Sequence, residues 1–301
     1  MIPNLNPAYQ QFVDNLNQIG DALTAAQEQV SSGLKITQVS DAPDSISLLL
    51  EAHANLAFTQ QTITNLGLVT TEVNTGEQAL ENAVSLFDQV QTLAAQGANT
   101  TQTAAGNATL AQQVNSLLQE MVGLANTQND NRYIFAGDQD QQIPYTYNPN
   151  QNPPVSAYGG SASTRQIADA TGSTFPVALT AQQIFDSSNP ADNVFTSMEN
   201  LSAALASNNI TAIQTAVNGL PQVAQYLNTQ LAFYGNVQDR LTTATTDAQN
   251  LQAQQQTEVA NLQDADLTTA IMDLTQAQTQ QEAALESEAQ IPRTTLFNFL
   301  S

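Results

Sequence analysis

The fold is decided by residues 5–30, which read LNPAYQQFVDNLNQIGDALTAAQEQV. The apolar side chains of this stretch recur at alternating steps of four and three residues, which places them along one side of an α-helix. Burying them would contribute roughly 10–20 kcal/mol, whereas ordering the helix costs about 1–2 kcal/mol per residue in backbone entropy. We therefore expect this helix to require a partner. Its apolar side chains are Leu5, Tyr9, Phe12, Leu16, Ile19, Leu23, Ala26 and Val30.

A candidate partner lies towards the other end of the sequence, where apolar residues again follow helical spacing. The pattern comprises Leu267, Ala270, Ile271, Leu274, Ala277, Ala284, Leu285 and Ile291, followed by Leu296, Phe297, Phe299 and Leu300. We predict that the larger side chains of both segments form an assembly interface. These are Leu5, Tyr9, Phe12, Leu16, Ile19, Leu23, Val30, Leu267, Ile271, Leu274, Leu285, Ile291, Leu296, Phe297 and Leu300.

Composition limits the classes of function. The 301 residues include 5 Lys and Arg against 27 Asp and Glu, which gives a formal net charge of −22. Such a charge argues against binding to nucleic acid or to an anionic membrane. The absence of Cys excludes disulfides and thiolate chemistry. Residues 1–4 do not resemble the start of a cleaved signal peptide, so we expect any export to proceed without one.

The order of patterns predicts a mainly α fold: an elongated antiparallel helical bundle or coiled coil formed by the N- and C-terminal regions, with an inserted small β-containing outer domain. The first helix is expected to end at Gly33. Long helical patterns flank a segment that holds six of the eleven prolines, and after it the helical pattern resumes at Val194. We expect an N-terminal assembly helix and link at 1–42, which pairs with a C-terminal assembly helix at 263–301. A helical rod would occupy 43–137 and 192–262, and the outer domain 138–191.

Few residues suggest chemistry. Ser32 and Lys35 match the Ser-x-x-Lys pattern of acyl-transferring enzymes, but a four-residue match is weak and we interpret it as a turn. The only histidine, His53, is interpreted as a packed helix residue. The paired aspartates at 138–140 and 264–266 lack the spacing of a calcium loop, and we interpret them as turns or caps. We expect no catalytic, cofactor or metal site.

Several stretches resemble bacterial flagellins and their hook-associated relatives. The turn at 31–37, followed by 40–44, is similar to the turn after the first helix in that superfamily. The run at 262–300 resembles its closing segment. Within the superfamily, residues 131–137 and 192–195 are most similar to the points where the hook–filament junction members leave and re-enter their helical part.

The resemblance implies a structural, non-enzymatic subunit that is exported unfolded through the flagellar type III channel and lies outside the cell in the flagellum. It implies self-assembly into a ring, with a neighbouring hook-associated protein and flagellin as further partners. It also implies that an export chaperone binds the segment at about 267–300. The ends of such a monomer are expected to become helical on assembly.

Three other hypotheses remain. The chain could be a filament subunit proper, an enzyme built on Ser32 and Lys35, or a cytosolic coiled-coil adaptor. A further alternative concerns the apolar faces of the two terminal segments, which could pair with each other inside one chain. An adaptor would keep folded ends and would stay inside the cell.

Overall fold

The computed structural model describes residues 7–38, 40–169 and 172–289. It divides the chain into two compact units. The terminal unit comprises Met1–Phe58 and Gln252–Ser301, and the central unit comprises Thr59–Leu251. Helices dominate both units, and the strands form two small antiparallel sheets. The prediction of a mainly α chain with a small β component is therefore confirmed.

The terminal unit contains two complete helices, α1 (Pro7–Ser32) and α7 (Leu267–Ala289). It also contains the beginning of α2 (Ile46–Gly97) and the end of α6 (Ile210–Gln263). Helix α1 packs against α7 within the same chain. The end of α1 lies beside the start of α7, because Leu34 and Asp264 form an antiparallel bridge, so the two helices run antiparallel.

Helix α1 stops at the glycine that the sequence predicts. Gly33 has a φ of +73°, and its N–H donates to the carbonyl oxygen of Gln29 at 2.9 Å. Glycine adopts this left-handed conformation without the cost that a Cβ would impose, which makes it the usual residue after a helix.

The central unit adds α3 (Ala104–Ala125), α4 (Ala181–Phe185) and α5 (Val194–Ala206) to the inner parts of α2 and α6. Strand β1 (Gln128–Asn129) pairs with β2 (Arg132–Tyr133), and β3 (Gln166–Ala168) pairs with β4 (Thr174–Pro176). In the second sheet, Ile167 lies opposite Phe175. The helix after the proline-rich segment begins at Val194, as the sequence predicts, and is capped by Asn193, whose side chain accepts from the N–H of Thr196 at 2.9 Å.

One hydrophobic core joins the helices of the central unit to the segment that carries the sheets. Phe135 packs edge-on against Tyr234 of α6, with ring centroids 6.3 Å apart. Gly76 of α2 makes room for this tyrosine, because a Cβ there would lie 2.6 Å from Tyr234 Cε1. The Tyr234 hydroxyl in turn accepts from the N–H of Leu179 at 3.3 Å.

Two arginine contacts connect the segment that carries the sheets to the long helices α2 and α6. The Arg165 guanidinium donates to the Glu72 carboxylate of α2. The Arg240 guanidinium of α6 lies 4.1 Å from the centre of the Phe175 ring, where a cation is attracted by the aromatic face. Two of the chain's few basic residues therefore stabilise the packing of the central unit.

Candidate assembly surface

The α1–α7 pair is built on alanines. Ala26 of α1 and Ala270 and Ala277 of α7 are buried. Ala270 and Ala277 are seven residues apart, a spacing that keeps side chains on one face of a helix. Helix axes can approach closely where the contact residues are small. The residues at the centre of the pair are therefore small ones, although the sequence prediction emphasised the large apolar residues.

The structure divides the predicted interface residues into three groups. Phe12, Leu16, Ile19, Leu23, Val30 and Leu274 are partly buried along the pair. Tyr9, Leu267, Ile271 and Leu285 keep about half of their surface exposed, between 49% and 51%. Leu5, Ile291, Leu296, Phe297 and Leu300 lie outside the described residues.

The apolar faces of α1 and α7 thus pair within one chain, but this pairing leaves part of their apolar surface exposed. In the described part of the chain, ten large hydrophobic side chains are exposed, and eight of them belong to the terminal unit. These eight are Tyr9, Leu48, Leu50, Phe58, Leu267, Ile271, Met272 and Leu285. An apolar surface that a domain leaves uncovered indicates an interaction site.

The α1–α7 pair also carries an open groove of about 240 Å³. Its walls are small or polar and come from both helices: Ala22, Ala25, Ala26, Gln29, Asp273, Gln276, Ala277 and Gln280. Along α1, the exposed acids Asp14, Asp21 and Glu28 are spaced by seven residues and form one line. The described residues of α1 and α7 include no basic side chain, so this surface is acidic.

A short clasp connects the end of α1 to the start of α7. The N–H of Lys35 donates to the carbonyl oxygen of Gln263 at 2.8 Å, and the N–H of Ala265 donates to that of Gly33 at 2.8 Å. The Lys35 ammonium donates to the carbonyl oxygen of Asn261 at 3.1 Å. This carbonyl lies in the last turn of α6, where a cation is favoured by the helix dipole.

Ser32 and Lys35 do not form a nucleophile and base. The Ser32 hydroxyl donates to the carbonyl oxygen of Glu28 at 2.6 Å, whereas the Lys35 ammonium contacts Asn261. Both side chains have structural roles in the clasp, which agrees with the interpretation of this motif as a turn.

The prediction that His53 is a packed helix residue is wrong. His53 is exposed on α2, and its Nε2 lies 3.1 Å from the side-chain oxygen of Gln263. Leu49, which the same pattern placed on the packed side, is buried, and Ala52 is buried in the place expected for His53. The packed face is therefore the predicted one, but it continues from Leu49 by a step of three residues and not of four.

The aspartate at the start of α7 is a helix cap. One carboxylate oxygen of Asp266 accepts from the N–H of Thr268 at 2.9 Å and, more weakly, from that of Thr269 at 3.4 Å. These backbone hydrogen bonds favour the charged form and lower the pKa of Asp266 below its ordinary value. Residues 264–266 thus serve as the predicted cap between α6 and α7.

Residues 7–38, 40–169 and 172–289 contain neither a group of metal-ligating side chains nor a membrane-spanning helix. No three His, Asp or Glu side chains there are grouped so that they could hold a metal ion. No helix in these ranges combines the length and the hydropathy that a membrane crossing requires.

Two protein-family models match this chain. The family model of the bacterial flagellin N-terminal helical region matches residues 4–140, and that of the C-terminal helical region matches residues 210–300. The two matches together include most of the chain and both helices of the terminal pair. The chain belongs to the bacterial flagellin family. The two regions of this flagellin-family chain that match the family models lie on either side of the proline-rich segment.

Similar proteins refine this placement. Flagellar hook-associated protein 3 of Escherichia coli K12 is 28% identical over 162 residues, which are 53% of this flagellin-family chain and 49% of that protein. The chain thus spans about half the length of this relative. Flagellar hook-associated protein 3 of Salmonella typhimurium is 25% identical over 282 residues, 86% of each chain.

A solved structure shares the fold. The crystal structure of flagellar hook-associated protein 3 from Legionella pneumophila matches with a TM-score of 0.59 at 14% identity, covering 72% of this chain and 99% of that one. At this level of identity the similarity establishes the fold of the flagellin-family chain.

Proposed function

We propose that this chain is a structural subunit of the bacterial flagellum that joins the hook to the filament. Its membership of the flagellin family and its similarity to hook-associated protein 3 over 86% of both chains support this role. The role is mechanical and includes no catalytic step.

The observation that carries the proposal is the exposed apolar surface of the terminal unit. Burying a large apolar side chain completely contributes about 1.5–3 kcal/mol, and Leu267, Ile271 and Leu285 each retain about half of that surface. Repeated over several copies, this contribution can offset the entropy lost on association. The terminal unit is therefore the part of the chain that gains most from meeting neighbours.

The mechanism is folding coupled to assembly. The chain leaves the cell unfolded, and a chaperone covers the segment at about 267–300 during export. At the tip of the hook, α1 and α7 pair, and the apolar side chains that remain exposed are buried against neighbouring subunits. The result is a ring that contacts another hook-associated protein on one side and flagellin on the other.

A charge placed on the exposed surface tests this role. In the double variant Leu267→Asp and Ile271→Asp, two carboxylates would have to be buried on assembly, which is unfavourable. We expect cells that carry only this variant to lose motility and to yield flagellar preparations without the chain, as measured by immunoblotting. Gln254→Asp adds a charge at an exposed polar position of α6 in the same unit, and it should leave both readouts unchanged. Normal motility of the double variant would overturn the proposal.

Electron microscopy of the concentrated protein separates this function from its alternatives. A junction subunit should form rings or short stacks that stop growing, whereas a filament subunit proper should form long filaments. A coiled-coil adaptor would form neither, and cell fractionation would find it inside the cell.

A further inference from the structure

The α1–α7 pair has two unlike flanks. The groove described above lies on one side of the pair, where α7 contributes Asp273, Gln276 and Gln280. Because a helix completes one turn in 3.6 residues, Ile271 lies about 180° around α7 from Gln280. The exposed row that consists of Leu267, Ile271 and Leu285 is therefore on the opposite side of the pair from the groove.

The two flanks also differ in charge. From Leu267 to Gln281, the only ionisable residue of α7 is Asp273, and it lines the groove. On α1, the line of acids that contains Asp21 and Glu28 is adjacent to the groove residues Ala22 and Ala25. The groove flank is thus bordered by carboxylates, while the row carries no charge beside Leu267 and Ile271 and meets a carboxylate only near Leu285, where Glu282 is exposed.

Two copies could meet through these flanks in three ways. Groove against groove would bring the acids of both copies together, which is unfavourable without a basic residue between them. Row against row is a twofold contact, and such a contact is complete after two copies. Row against groove is a heterologous contact, which leaves a free row at one end and a free groove at the other and so adds further copies until the ring closes.

We propose that the apolar row of one subunit docks in the groove between α1 and α7 of the next copy of this chain. The inference rests on the proposed function, because only a subunit of a ring needs a contact that repeats in one direction. Four of the residues that line the groove are alanines, two of them the buried Ala26 and Ala277, and these small side chains leave space for the branched side chains of the row. Asp21, Glu28 and Asp273 remain at the edges, where water can solvate them.

Cysteine cross-linking tests the contact, because the natural chain contains no cysteine. The double variant Ile271→Cys and Gln276→Cys places one thiol on the row and one in the groove. In flagella isolated from cells that carry this variant, oxidation or a flexible bis-maleimide should convert the monomer into a ladder of linked species. The flexible reagent makes the result independent of the exact register, since a disulfide requires Cα atoms within about 7 Å.

Control variants show whether the ladder arises from the contact between the row and the groove. Ile271→Cys alone and Gln276→Cys alone should remain monomeric on denaturing gels. The pair Met272→Cys and Gln276→Cys should also give no ladder, because Met272 is exposed on the side of α7 that faces away from α1.

Three results would overturn the inference. Linked dimers from Ile271→Cys alone, as abundant as the ladder of the double variant, would show that the row meets its own copy through a twofold contact. A double variant that is present in the flagella but gives no ladder would exclude the row-to-groove contact while leaving the junction role intact. A chain that is absent from flagella even in its natural form would overturn the proposed function and this inference together.

Discussion

The central unit buries its large apolar side chains, whereas the terminal unit leaves many of them exposed. Phe87, Phe135 and Tyr234 are almost fully enclosed in the central unit, while Tyr9, Ile271 and Leu285 remain half exposed in the terminal unit. Arg165 and Arg240 stabilise packing in the central unit, whereas the Lys35 ammonium of the terminal unit contacts a helix-terminal carbonyl oxygen, that of Asn261. One unit thus encloses its large apolar side chains in its own contacts, whereas the other leaves an apolar surface uncovered.

Removing an aromatic ring from each unit should give the largest contrast. Phe87→Ala leaves a cavity in the enclosed core and should lower the free energy of unfolding by about 3–5 kcal/mol. Tyr9→Ala removes a side chain that is 49% exposed and should cost less than about 1 kcal/mol. Urea denaturation followed by circular dichroism measures both values. Equal losses would contradict the division of the chain into an enclosed unit and an incomplete one.

Two glycines of α2 should respond in opposite directions. At Gly76 a Cβ would lie 2.6 Å from the Tyr234 ring, so Gly76→Ala should destabilise the central unit by about 1–3 kcal/mol through overpacking. At Gly67 no atom lies within 4 Å of the added Cβ. Gly67→Ala should therefore stabilise the helix by about 0.5–1 kcal/mol.

Thermal unfolding of the two variants, compared with the natural chain, decides this prediction. The melting temperatures should move apart, with Gly76→Ala below the natural chain and Gly67→Ala above it. If both variants melted above the natural chain, Tyr234 would not be held against α2 as described.

A second glycine pair tests the terminal unit. Gly33→Ala forces an alanine into a φ of +73°, which costs about 1–2 kcal/mol, and it should loosen the clasp between α1 and α7. Gly20→Ala is the control in the same helix, because nothing lies within 4 Å of its added Cβ. Hydrogen–deuterium exchange of peptides from α1 and α7 should accelerate in Gly33→Ala and slow or stay constant in Gly20→Ala. Unchanged exchange in Gly33→Ala would mean that the clasp does not hold the pair.

The sequence predicts local features of this fold well. Gly33 ends α1, Asp266 caps α7, and Val194 begins α5 because each depends on neighbouring residues and on rules of helix termini. Contacts between residues that are far apart in the sequence are not predicted in this way. No pattern in the sequence connects Gly76 with Tyr234. The error at His53 arose because positions three and four residues after Leu49 both share its side of a helix, so the sequence does not decide between Ala52 and His53.

The candidate surface is a mixed case. Sequence spacing located both helices of the terminal pair and placed Leu267, Ala270, Ile271, Ala277 and Leu285 in one apolar pattern, of which the large residues were predicted to form an assembly interface. Within the chain, the structure buries Ala270 and Ala277 and leaves the large residues half exposed, since small residues let the helices come close. A seven-residue repeat of alanines was visible in the sequence and is the signal that could have distinguished the inner face from the outer one.

The smallest expected effect is a pH dependence that is confined to the terminal unit. Hydrogen bonds from the N–H groups of Thr268 and Thr269 lower the pKa of Asp266 below that of an unfolded aspartate. The cap therefore contributes its full stabilisation above the ordinary carboxyl pKa of about 4, and it loses this contribution as the pH falls through the lowered pKa. We expect the first turn of α7 to fray in that range before the central unit unfolds.

Nuclear magnetic resonance of the Thr268 and Thr269 amides during an acid titration measures this fraying directly. In Asp266→Asn the amide side chain can still accept the capping hydrogen bond but does not titrate, so the two resonances should no longer follow a carboxyl titration. If they shifted with pH in the variant as they do in the natural chain, another carboxylate would be responsible.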